Sequence, residues 1–367
     1  MKTLVNAANL HVGGGVQVAA SFISELAAMD DHGNVEVVMS GEVARNVAAT
    51  LGEGYDQDRY RVLDVHGLDL GNRAAPAAFD AFDTVFTVFG PLYRRKPAFR
   101  NIVGFAQPWI IYPDNECYAR LPSAARMKEW LKYTIQAGFF KRADTLVVEL
   151  NHVKDGLVRE LEIEPERIHV VHNCLSSIYV NPQVWQTITL PPVSCDLRLG
   201  FLGRNYLHKN TAVFPDIVRH LSGSYGIKAR FCVTFTPAEW AACTPEFREV
   251  CVNVGPLSVA QCPDFYRSVD AVVFPSLLEC FSATPLEAMA MGKPLFASDR
   301  PFNRDVCKDH AVYFDPLIAE SAAERIAETF RGGGFDKKAL RAAQNHAFAF
   351  ASPGERAKQY LALLNAG

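Results

Sequence analysis

No stretch of this chain approaches the roughly 20 consecutive apolar residues of a membrane-crossing helix, so no helical span is expected. Excess charge of one sign is also missing: 37 basic residues face 40 acidic ones, for a net charge of -3. Without a basic field, nucleic acid is not an expected partner. The nine cysteines are odd in number and contain no Cys-x-x-Cys pair. That usage excludes a disulfide framework or a zinc ribbon and fits reduced thiols in a cytoplasmic protein. Met1-Lys-Thr-Leu-Val leads directly into an apolar run, without the long apolar core and small-residue cleavage site of a secretory leader. Internal repeats and low-complexity tracts are absent as well.

What is present is alternation. Short apolar runs at residues 3–8, 35–39, 85–89, 102–106 and 146–148 are separated by helical patterns. The same rhythm returns at 197–202, 229–233, 252–254, 271–274 and 294–297. Buried strands alternating with helices predict α/β architecture with parallel sheets covered on both faces. At 367 residues the chain exceeds one ordinary core, which predicts two Rossmann-like domains facing each other across a cleft. Asn181-Pro182 and the Leu190-Pro-Pro192 segment mark the hinge, since proline interrupts both helix and ladder. The expected domains are residues 1–182 and 193–350, with the terminal helical segment 353–367 packing back on the first.

The densest chemistry lies just past the 271–274 run, where Glu279 and Glu287 stand eight residues apart around the start of a helix. Pro285 fits a first helical turn, in which its missing N–H has no intrahelical partner. Unpaired amides around Phe281, Ser282, Ala283 and Thr284 would carry partial positive charge suited to a diphosphate. The two carboxylates would then take sugar and ribose hydroxyls, about 12 Å apart if all eight residues were helical. A retaining glycosidase needs two carboxylates much closer, at about 5 Å. Upstream, the 197–202 run ends at Gly203 and releases Arg204 and Lys209, a planar donor fork and a mobile point charge that together suit a diphosphate. A glycine turn, Gly13-Gly14-Gly15, follows the first strand and lets backbone approach a ligand at positive φ. Its spacing matches neither the dinucleotide fingerprint nor a Walker loop.

Glu279, seven residues, then Glu287-Ala-Met-Ala-Met-Gly-Lys-Pro294 resembles the E-x7-E signature of retaining glycosyltransferase family 4, whose members have the GT-B fold. Cys280 and Ser282 stand where the family usually has glycine. Gly203-Arg204 with Lys209-Asn210, Asn173 after the 168–171 strand, and Tyr313-Phe-Asp315-Pro316 resemble further family segments in the same order. The resemblance is to bacterial capsule and O-antigen transferases. It implies transfer of a hexosyl unit from a UDP- or GDP-linked sugar to a glycan or lipid-linked acceptor, with anomeric configuration retained and without a metal or resident cofactor. In that scheme Glu279 meets the donor sugar, Glu287 the ribose, Arg204 and Lys209 the diphosphate, and Gly14 and Gly15 the donor phosphates. The departing phosphate oxygen takes the acceptor's proton.

In the first half, Gln107 ends the 102–106 strand where the family commonly has histidine; it hydrogen-bonds but carries no proton. His11, His152 and Asn173 complete the acceptor-side candidates. The stretch 125–142, rich in Lys, Arg and aromatics, together with Arg94-Arg95-Lys96, predicts peripheral contact with an anionic inner membrane. Two rival readings use the same cleft. A nucleotide-sugar epimerase-like enzyme would act without an acceptor, and a non-catalytic module would bind nucleotide without turnover.

Overall fold

A computed structural model describes residues 2–29, 34–52, 59–67, 79–94, 97–333 and 335–366. The chain folds as two α/β units. One comprises Met1–Pro113, Leu121–Cys174 and Ala351–Gly367, the other Asp114–Arg120 and Leu175–Phe350.

The first unit is built on seven parallel strands: β1 (Thr3–Ala7), β2 (Val35–Met39), β3 (Tyr60–Val62), β4 (Thr84–Thr87), β5 (Arg100–Gly104), β6 (Thr145–Val148) and β7 (Ile168–Val170). Their order is β3-β2-β1-β4-β5-β6-β7, so the sheet reverses direction of growth at β1 and β4. β1, β4 and β6 are buried along their whole length, which is why they read as unbroken apolar runs. The sequence reading passes over β3, because only Tyr60 of this edge strand is buried while Arg61 and Val62 face solvent. The terminal helix Pro353–Asn365 packs on helix Gly14–Ala27. Its Tyr360 ring lies 4.9 Å from Phe22 and 5.1 Å from Phe86.

The second unit has six parallel strands: β8 (Leu197–Phe201), β9 (Ala229–Val233), β10 (Cys251–Asn253), β11 (Ala271–Phe274), β12 (Leu295–Ser298) and β13 (Val312–Phe314). Their order, β10-β9-β8-β11-β12-β13, also reverses, here between β8 and β11. Phe201, Phe214, Phe231 and Phe235 fill the core on one face. Phe214 stacks on Phe231 at 3.8 Å.

The change of unit comes after Cys174, earlier than the prolines suggest. Residues 185–188 are already tied to the second unit: the Gln186 amide donates to the Ala260 carbonyl at 2.9 Å and the Ile188 amide to Asp264 at 2.8 Å. Proline marks where regular structure stops, and these hydrogen bonds decide which sheet the irregular segment accompanies.

Candidate functional site

Open parallel sheets bind ligands beyond the carboxyl ends of strands where the strand order reverses. In the second unit that position is the pair β8 and β11. The loop after β8 carries Arg204, His208 and Lys209, and the loop after β11 carries Glu279. These loops meet: Lys209 Nζ lies 2.6 Å from Glu279 Oε1, and His208 Nε2 lies 4.0 Å from the same oxygen. The backbone closes the contact as well, with the Leu277 amide donating to the His208 carbonyl at 2.7 Å. Glu279 is buried, at 8% exposure. Burial lowers the pKa of His208 against the opposing pull of Glu279, so the imidazole is neutral and Lys209 is the cation that balances the carboxylate. Lys209 also sits 5.2 Å from the centre of the Phe274 ring.

Arg204 goes elsewhere. Its Nε donates to both oxygens of Glu239, at 2.8 and 3.0 Å, from a half-exposed position. Glu239 is fixed in turn by a capping box with Thr236 at the start of helix Pro237–Ala241. Two cations read from one sequence segment therefore occupy different settings, one half-buried against Glu279 and one at the surface.

Helix Ala283–Ala290 begins immediately after this loop. Ser282 precedes it without capping it, and its first turn contains no acidic residue, so its amides keep their partial positive charge. Thr284 Oγ1 reaches the Leu202 carbonyl at 3.5 Å, holding the helix start against the end of β8. Phe281 is half-buried and lies 6.5 Å from the Phe350 ring. Because the helix starts at Ala283, only four of the eight intervals between Glu279 and Glu287 rise helically. Helical rise therefore contributes about 6 Å and not about 12 Å.

Glu287 accepts a hydrogen bond from the Tyr266 hydroxyl at 2.7 Å. Burial raises its pKa above the usual carboxylate range, and hydrogen bonding from Tyr266 opposes that rise. Tyr179 is buried 6.2 Å away from Tyr266, ring to ring, and adds a weaker pull without closing a well-formed hydrogen bond.

In the first unit, Gly13 alone of the glycine triplet adopts positive φ, at 78°; Gly14 and Gly15 are the first two residues of helix Gly14–Ala27. Of the triplet's freedom to take positive φ, only Gly13 makes use, because the helix begins one residue after it. His11 Nε2 donates to the Val65 carbonyl at 2.8 Å, its Nδ1 lies 3.5 Å from Asp64, and its ring stacks on His66 at 4.0 Å. Gln107 precedes the short helix Pro108–Ile111 without capping it. His152 Nδ1 lies 2.8 Å from the Tyr112 hydroxyl. Asn173 Oδ1 accepts from Arg356 of the terminal helix at 2.6 Å.

Comparison with known proteins bears on the second unit first. Residues 247–346 match the family model of glycosyl transferases group 1. This segment contains β11, Glu279 and helix Ala283–Ala290, so the matched residues coincide with the side of the site that holds both glutamates. The chain is similar to the O-antigen chain mannosyltransferase RfbU of Salmonella typhimurium, with 21% identity over 201 residues covering 53% of each protein. It thus spans about half the length of that curated relative. Among solved structures, sucrose-phosphate synthase from Thermosynechococcus elongatus superposes with TM-score 0.70 and 13% identity over 99% of this chain and 98% of that one. Anabaena HepE in complex with UDP and glucose gives 0.65 and 13% over the whole of both chains. WaaG, a glycosyltransferase involved in lipopolysaccharide biosynthesis, gives 0.64 and 14%, also over the whole of both. At these identities the likeness establishes the fold, which is GT-B.

Tyr266, Tyr179 and Glu239 were not legible as site residues. Glu239 leaves a sequence trace, since Thr236-Pro-Ala-Glu239 is a capping-box pattern. The tyrosines leave none. Among the described residues, no group of three or more His, Cys, Asp or Glu side chains could hold a metal ion. The sequence does hold one Asp-x-Asp triplet, Asp56-Gln57-Asp58, which lies outside the described residues. Arg95 and Lys96 lie outside them too.

Proposed function

We propose that the chain is a retaining, metal-independent glycosyltransferase that moves a hexosyl unit from a UDP- or GDP-linked sugar to a glycan or lipid-linked acceptor in surface-polysaccharide synthesis. The observation that carries this reading is the Lys209–Glu279 contact beside the uncapped start of helix Ala283–Ala290, at the strand-order reversal of the second sheet. It brings a cation to a carboxylate and helix-terminal amides, the latter two lying within the segment 247–346 that matches a glycosyltransferase family model. The mannosyltransferase RfbU, the lipopolysaccharide-synthesis transferase WaaG, and the UDP and glucose bound to HepE support the same class of donor and acceptor.

In this reading the diphosphate lies against the amides of Ala283 and Thr284, with Lys209 and Arg204 neutralising the charge that grows as it leaves. Glu279 receives hydroxyls of the transferred sugar, and Glu287, oriented by Tyr266, receives the ribose diol. The bond from the anomeric carbon to the phosphate oxygen breaks as the bond to the acceptor oxygen forms on the same face. The acceptor's proton passes to the departing phosphate oxygen, so no protein base is required.

The test is calorimetric binding of UDP, GDP, ADP and TDP with and without EDTA, followed by incubation of the bound donor with membrane-extracted acceptor and determination of the product anomer. One preferred nucleotide, bound in EDTA and giving a product with the donor's anomeric configuration, is the expected result. Binding of none, or an inverted product, overturns the proposal. Conversion of the donor without acceptor would identify the epimerase-like alternative.

A further inference from the structure

We infer that Arg120 is a positioning residue of the diphosphate grip: through Asn210 it fixes the turn that carries Lys209 to Glu279. This inference rests on the transferase reading and names a residue that the reading leaves out. Residues Asp114–Arg120 belong to the second unit although the sequence on either side of them belongs to the first. Asn115 caps the short helix Glu116–Ala119, its Oδ1 accepting from the Tyr118 amide at 3.3 Å. Two side chains of this segment reach loops at the carboxyl end of the second sheet. Arg120 donates to Oδ1 of Asn210, after β8, at 2.7 Å, and Glu116 accepts from Arg300, after β12, at 2.5 Å. Between these two anchors Cys117 is fully buried. Burial pushes its thiol up to about 11, and it lies close enough to Arg120, Arg300 and Glu279 for their charges to act on it.

The Arg120 contact falls on the residue that sets the Lys209 turn. Asn210 joins two 3-10 turns, Leu207–Lys209 and Thr211–Val213, and adopts a left-handed φ of 55°. Asparagine tolerates that conformation better than most side chains, and it persists where surrounding contacts over-determine it. Here both ends of the amide are used: Oδ1 accepts from Arg120, and Nδ2 donates to the Pro316 carbonyl at 2.8 Å. At 4% exposure, Asn210 has little access to water that could replace these partners. The charged donor makes the Arg120 bond the stronger of the two anchors. Lys209 immediately precedes Asn210, and its amide donates to the Tyr206 carbonyl at 2.9 Å inside the first turn. Releasing Asn210 therefore frees the backbone from which Lys209 reaches Glu279, 2.6 Å away. Holding that turn before a diphosphate arrives avoids the cost of ordering it on binding. Arg120 itself is exposed, so its removal takes nothing from the hydrophobic core.

The experiment is hydrogen–deuterium exchange of the full chain without ligand, read over residues 203–213, with calorimetric affinity for UDP and GDP measured on the same proteins. Arg120→Met should speed exchange about tenfold at the Lys209, Asn210 and Val213 amides, whose hydrogen bonds close the two turns. Its melting temperature should stay within about 2 °C of wild type. Affinity for the nucleotide that wild type prefers should fall about fivefold, and Arg120→Lys, which keeps the charge and a donor, should restore part of it. Asn210→Gly keeps the left-handed turn and removes the amide. It should weaken nucleotide binding at least as much, and adding Arg120→Met to it should change nothing further. Unchanged exchange over 203–213 in Arg120→Met overturns the inference. So does an equal loss of affinity in both backgrounds, since Arg120 would then act other than through Asn210. Faster exchange with unchanged affinity overturns it too, because the turn would then be held for folding and not for the diphosphate. Wild type that binds neither nucleotide sinks the transferase reading instead, and the exchange measurement, which needs no ligand, still decides whether Arg120 fixes the Lys209 turn.

Discussion

Replacing Lys209 by Met removes the cation 2.6 Å from Glu279 while keeping most of the side-chain volume. Glu279 is 8% exposed, and its remaining neighbour, His208 at 4.0 Å, is held neutral by burial. Removing one partner of a buried ion pair costs about 3–5 kcal/mol because the other charge stays desolvated. Both side chains retain some solvent contact, 16% for Lys209 and 11% for Glu279, so the lower end of about 3 kcal/mol applies. For a folding unit of this size that loss lowers the melting temperature by roughly 6–12 °C. Glu279→Gln in the same chain removes the orphaned charge, and the double variant should recover most of the loss. Differential scanning calorimetry of the two singles and the double completes the cycle. Diphosphate binding should fall in Lys209→Met and stay low in the double variant, since stability returns and the cation does not. A Lys209→Met transition within about 2 °C of wild type, or a double variant no more stable than the single, would refute the buried-pair reasoning.

The surface cation gives a contrasting case: Arg204 pairs with Glu239 from a half-exposed position, so Arg204→Ala should cost less than about 1 kcal/mol of stability. UDP or GDP affinity measured by calorimetry should nonetheless fall by about tenfold or more, and unchanged affinity removes Arg204 from the diphosphate grip. Tyr266→Phe deletes the 2.7 Å hydrogen bond to Glu287 and should cost about 1–3 kcal/mol in urea unfolding. Burial raises the Glu287 pKa, so its contribution favours folding at low pH and is lost as pH rises through the folded value; removal of the Tyr266 hydrogen bond should steepen that loss. An identical pH slope in wild type and variant would count against the contact. In the first unit, burial pushes Glu149 from 4.5 up to about 7 despite the nearby Arg356 guanidinium. The native state then binds the extra proton between those values, contributing about 3 kcal/mol that is present below 4.5 and lost progressively as pH rises from there through about 7. Glu149→Gln should flatten the unfolding free energy across that window, and an unchanged profile means the carboxyl is not buried as described.

Local chemistry made much of this protein readable in its sequence. Runs such as Ala271–Phe274 announce buried strands because parallel sheets covered on both faces have no solvent side to alternate toward. The Glu279–Glu287 spacing, Pro285 and the Gly203-Arg204 turn identified a helix start and a strand end because helix termini and tight turns have narrow residue preferences. Strand β3 was not readable, since its edge position leaves Arg61 and Val62 in solvent and erases the apolar signal. Nor was the partition of roles between Arg204 and Lys209, which are five residues apart in the chain. Only the meeting of the loops after β8 and β11 set Lys209 against Glu279, and only the approach of helix Pro237–Ala241 gave Arg204 to Glu239. Tyr266 reached Glu287 across 21 residues by the same kind of long-range packing. Sequence by itself determined which elements form and which side chains of suitable chemistry stand at their ends. Tertiary structure decided which of those side chains are paired, buried or left facing solvent, because desolvation and pairing depend on neighbours that are distant along the chain.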